Sequence, residues 1–121
     1  MIQKPELYDG VELLVDLPEY GLFAGMQGTV IDIHRQDAAY EVEFANQQGE
    51  AINFVALRLE QFVVIWRARS GKWVPITDRI ADLVARLPEA AGSEVLDFAR
   101  FLNVQTVRNG QHKPLVTPLA S

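Results

Sequence analysis

The 121-residue sequence contains no cysteine. Disulfides, thiolate zinc sites and cysteine nucleophiles are thereby excluded. Its two histidines, His34 and His112, stand far apart and in no ligand spacing, so no metal site is expected from them. The glycines of Gly21-Leu22-Phe23-Ala24-Gly25-Met26-Gln27-Gly28 are followed by no Lys-Ser/Thr pair and open no helix. They read as turn residues and not as a phosphate loop. No Ser–His–Asp or Ser–Lys arrangement can be drawn from residues this scattered. The longest apolar run, Phe62 to Trp66, is far too short to span a membrane. Residues 1–10 hold no basic stretch followed by an apolar one, so no secretory signal is read and the cytosol is the expected location. The expectation is a protein without catalytic residues, cofactor or metal.

What is present is 49% hydrophobic, enough for one compact domain or a small barrel with an appendage. The net charge of −5 is unevenly spread. Residues 1–66 carry three basic residues against eleven acidic ones, whereas residues 67–121 carry eight against five. An acidic first half repels phosphate and suits a basic protein partner better than nucleic acid, or simply keeps the surface soluble.

Short strands dominate the first half. Val11 to Val15 is an apolar run. In Gly28 to His34, strict alternation places Val30, Asp32 and His34 on one face and Thr29, Ile31 and Ile33 on the other. In Ala39 to Ala45, Tyr40, Val42 and Phe44 face one way and Glu41 and Glu43 the other. Such a carboxylate pair could approach a cation, but exposed strands carry such charges for solvation. Asn46 to Gly49 breaks the pattern and Glu50 to Leu57 resumes it, as in a hairpin with Gly49 at positive φ. Phe62 to Trp66 is a further strand. Short strands without an intervening helix predict an α+β protein opening with a small β-barrel of about five strands over residues 1–66. Val30, Val42, Phe44 and Val64 are its expected core. The loop from Asp16 to Gln27, with Tyr20 and Phe23, is a candidate binding loop.

Residues 67–75 read as a hairpin or linker. Trp66-Arg67-Ala68-Arg69-Ser70-Gly71-Lys72-Trp73 interleaves aromatic and basic side chains. That pattern fits single-stranded nucleic acid through Arg67, Arg69 and Lys72, or a hairpin that buries its tryptophans and solvates its basic residues. In the acidic chain the second reading is favoured. Helical periodicity follows over 76–103. Ile76, Ile80, Leu83, Val84 and Leu87 form one stripe, and Val95, Phe98, Ala99 and Leu102 another, widened by Leu96 and Phe101. Leu87-Pro88-Glu89 separates them into a helical hairpin. Neither helix is stable alone, so the stripes must pack on each other, on the barrel or on a second chain. Residues 104–121 read as a tail.

Glu6 to Val11, Leu14 to Leu22, Gly25, Gly28 to Asp32 and Ala39 to Phe44 resemble a family of small, uncharacterised SH3-like bacterial proteins frequent in cyanobacteria. The resemblance implies that the barrel is SH3-like and implies no particular activity. Ile80 to Glu89 and Glu94 to Leu102 resemble a second family, a short antitoxin-like helical domain encoded beside toxins. The latter implies a partner-masking role, although an acidic barrel stands where such antitoxins carry a DNA-binding element.

The reading is therefore a non-enzymatic protein-binding module. It is antitoxin-like in one form, and in another an accessory subunit docking on a larger complex through the barrel. A nucleic-acid-binding barrel ranks behind both. The partner-binding residues are Phe98, Phe101 and Leu102 on the second helix and Tyr20 and Phe23 on the loop. The helical hairpin also offers a route to a homo-oligomer.

Overall fold

The computed structural model describes residues 2–34, 36 and 38–110. Six strands come first: β1 (Gly10–Leu13), β2 (Gln27–His34), β3 (Ala39–Ala45), β4 (Ala51–Leu57), β5 (Phe62–Arg67) and β6 (Lys72–Trp73). Two helices follow, α1 (Ile76–Ala85) and α2 (Glu89–Arg108). The strands form one antiparallel sheet in the order β4-β3-β2-β1-β5-β6, the α+β arrangement expected from the alternation. Chain contacts divide it into one unit running to Arg86 and a second beginning at Leu87.

The sheet of the first unit curls on itself. Tyr40 on β3 meets Phe62 on β5 edge to face, with ring centroids 5.4 Å apart. Two strands lie between them in the sheet order. In a flat sheet, three steps of about 4.8 Å would hold those strands roughly 14 Å apart. The contact therefore requires the barrel-like closure that the short strands suggest. Val11, Leu13, Val30, Val42, Phe44, Leu57 and Val64 fill the interior, and all four expected core residues are among them. The β3–β4 turn forms because the Asn46 Oδ1 accepts the Gln48 and Glu50 N–H groups, at 3.0 and 2.9 Å. Gly49 then closes it at φ +82°, a conformation that glycine adopts without strain.

Strand β2 departs from strict alternation. Val30 pairs with Val42 and Asp32 with Glu41, with a register shift between them. Ile31 is the extra residue of a β-bulge. Past it the faces exchange: Val30 is buried, Asp32 and His34 are exposed, and Ile33 packs against the core. The shared face expected for Val30, Asp32 and His34 is thus corrected. The tryptophan hairpin is corrected too. Trp66 pairs with Trp73 across β5 and β6, yet Trp73 is 65% exposed. Arg67 turns inward instead, because a buried carboxylate awaits it.

That carboxylate is Asp9, fully buried. It accepts from Arg67 Nη1 at 2.6 Å, from the Ala68 N–H at 3.0 Å and from the Glu6 N–H at 2.9 Å. The Arg67 guanidinium also donates to the Lys4 carbonyl and the Gln3 side chain. A buried charge is tolerable only when satisfied in this way, and the network fastens the N-terminal segment to the barrel.

Helix α1 packs on β5, whose Val63 and Ile65 are buried although they stand outside the core cluster. Its inward side is polar. Asp82 is fully buried, and Arg79 reaches Glu12 at 3.4 Å. Ile76, Ile80 and Leu83 remain exposed. The stripe expected to pack therefore points away from the barrel, because satisfying the buried Asp82 fixes the rotation of the helix.

In the second unit α2 starts behind Pro88, with Glu89 in its first turn and Arg108 in its last. Both charges suit the helix dipole. The helix continues past residue 103 to Arg108, so positions 104–108, read from sequence as tail, are helical. The tail beyond residue 110 lies outside the described residues. Among the described residues, no helix is long and apolar enough to cross a membrane.

Candidate functional site

Helix α2 buries none of its side chains. Phe98 and Phe101 are 61% and 53% exposed. One turn apart, they stack with centroids at 6.2 Å and planes 25° from parallel. Leu102 lies beside them, one turn on from Phe98. At about 100° per residue, Leu96 and Val107 fall on the opposite side of the helix, and both are exposed. Apolar residues on both sides are the mark of a helix meant to be enclosed. Asp97 and Arg100 pair at 3.3 Å on the surface and contribute little. The three α2 residues proposed from sequence thus stand together, within a wider apolar surface than the stripe alone suggested.

Tyr20 and Phe23 belong to the first unit. Their loop is folded: Pro18–Tyr20 makes a 3-10 turn, and Gly21 reverses the chain at φ +69°. Leu17 and Leu22 bridge, and the Asp16 carboxylate accepts the Ala24 N–H at 2.9 Å. Leu22 is wholly buried and anchors the loop, while Tyr20 and Phe23 on either side are half exposed. The Asn53 side chain donates to the Tyr20 carbonyl at 2.9 Å and ties the loop to β4. Ile52 and Phe54 on β4 are exposed as well. Sequence reasoning missed them because β4 is apolar on both faces, although the period of two in Ile52 and Phe54 was visible.

The outer side of the sheet carries a cleft of about 340 Å³ among Gly10, Gln27, Gly28, Thr29, Trp66 and Trp73. A Cβ at Gly28 would stand 2.7 Å from Val42 Cγ1 and 2.8 Å from the Glu43 carbonyl, so β2 and β3 approach closely only because that side chain is missing. The two arginines beside the cleft are engaged. Arg67 holds Asp9, and Arg69 pairs with Glu6 at 2.8 Å. Stacking and phosphate neutralisation by this hairpin would have to break those pairs.

Elsewhere on the barrel the Arg58 guanidinium donates to Glu60 at 2.6 Å and holds that carboxyl below its ordinary value. Imidazole and carboxylates meet at one place among the described residues, where Asp32, His34 and Glu41 present their donor atoms within 4.8 Å of one another.

No curated protein and no solved structure matches the chain. Residues 7–64, from just before β1 into β5, match the model of an uncharacterised family, a domain of unknown function (DUF4926).

Proposed function

We propose that the protein is a non-enzymatic, cytoplasmic binding module that masks a basic partner protein in the manner of an antitoxin, with α2 as its recognition helix. The observation that carries this is the bareness of α2, which exposes apolar side chains on both sides and buries none. The stacked Phe98 and Phe101, with Leu102, form the kind of clustered aromatic anchor that dominates interface energetics. The resemblance of residues 80–102 to antitoxin-like helical domains supports the same role. The acidic first half supports a basic partner, which it would steer electrostatically.

The test uses the full chain as bait in an extract of its native host. A stoichiometric basic partner held by the wild type and lost with Phe101→Glu supports the reading. Equal retention by both, with circular dichroism unchanged, refutes it.

The pinned loop favours a second reading, an accessory subunit that docks on a larger complex through the barrel. Tyr20 and Phe23 stand on a fixed backbone, which suits a pre-formed contact. In that case Tyr20→Glu with Phe23→Glu would abolish capture and Phe101→Glu would not.

A further inference from the structure

We propose that Asp32, His34 and Glu41 form a surface site for a divalent transition ion of the zinc type. The β2 bulge creates this group. Without the extra residue at Ile31, alternation would carry Asp32 and His34 to the same side as Val30, which lies in the core. With it, both emerge on the outer face beside Glu41, the cross-strand partner of Asp32. Bulges serve elsewhere to re-aim side chains next to functional sites.

The distances fit an ion better than a direct contact. His34 Nε2 lies 3.6 Å from an Asp32 Oδ2 and 3.5 Å from a Glu41 Oε2. Both separations exceed a hydrogen bond of about 2.7–3.2 Å. A tetrahedral ion with bonds of about 2.0–2.1 Å sets its ligands roughly 3.3 Å apart, and both observed edges are close to that. The third edge, between the two carboxylates, lies within 4.8 Å. One is already oriented: Asp32 Oδ1 accepts the Ile33 N–H at 2.8 Å, which leaves Oδ2 for the ion. Such outer contacts fix a ligand's direction. An imidazole with two carboxylates selects zinc-like ions over magnesium or calcium, which prefer oxygen alone. The open side leaves the remaining position to water or to a side chain of a bound molecule. His34 bridging the two carboxylates as a simple ion pair is the competing explanation.

Calorimetric titration of the metal-stripped full chain with Zn²⁺ distinguishes them. The expected result is one-to-one binding, weakened at least about tenfold by each of His34→Gln, Asp32→Asn and Glu41→Gln. Magnesium should not compete. Glu43→Gln, on the same strand face but outside the cluster, and His112→Ala should leave binding unchanged. Circular dichroism verifies that each variant is folded. Absence of Zn²⁺ binding overturns the proposal, as does binding that survives His34→Gln.

Discussion

Asp82 on α1 and Arg86, which caps the end of that helix, stand one turn apart and meet at 2.7 Å, with the carboxylate fully buried and the guanidinium nearly so. Asp82 also accepts the Gln3 N–H at 3.0 Å, and Arg86 Nη1 donates to the Leu59 carbonyl at 2.8 Å. One ion pair therefore joins the N-terminal segment, the turn before β5 and α1. It also determines which side of α1 faces inward, and hence that Ile76, Ile80 and Leu83 face out.

Asp82→Ala should leave a buried guanidinium without its carboxylate, at a cost of about 3–5 kcal/mol. The double change Asp82→Leu with Arg86→Met should cost much less, because both charges leave together. Urea denaturation of the two variants measures the difference. Equal destabilisation would show that the pair does not hold α1.

Gly28→Ala should destabilise the barrel by about 1–3 kcal/mol through overpacking. The new methyl would meet Val42 Cγ1 and the Glu43 carbonyl, both under 3 Å away. Since the conflict is steric, thermal melting should register it at every pH. A melting temperature unchanged from wild type would mean that β2 and β3 can separate freely.

How much of this was legible beforehand follows from which signals are local. Tyr40, Val42 and Phe44 alternate on a regular strand, so their burial could be read directly. The bulge at Ile31 could not, because a bulge leaves the residue pattern intact and changes only its phase. The buried Asp9 and Asp82 were invisible for another reason. Part of what holds them lies far off in sequence, Arg67 for Asp9 and the Gln3 N–H for Asp82, and the local i,i+4 spacing of Asp82 and Arg86 is equally that of a surface pair. The same gap left open which surface the α1 stripe faces, since helical spacing alone does not choose between the barrel, the other helix and a second chain. Phe98, Phe101 and Leu102 were found because helical spacing alone brings them together. Asp32 and His34 share one strand and one alternation face, but nothing in the residue pattern turns them towards Glu41 on the next strand.

The Arg58 side chain, donating to Glu60, lowers that carboxyl from its ordinary 4.5. The sign follows directly. A depressed folded value stabilises the native state above the unfolded value, and this is lost as pH falls below 4.5 and through the folded value. The pair is solvent-exposed, so the effect on stability is small. Arg58→Ala should return the Glu60 titration upward, as read by carboxyl NMR. An unmoved titration would assign the shift to the local backbone.

The role of α2 rests on Phe101 more than on any other side chain. Its most direct measurement is partner retention by the wild-type full chain and by Phe101→Glu, compared in extracts of the native host by affinity capture with quantitative staining. The expected result is one stoichiometric basic protein held by the wild type and absent with Phe101→Glu, while circular dichroism shows the barrel intact. Retention of the same protein in equal amount by both chains would contradict a recognition role for α2.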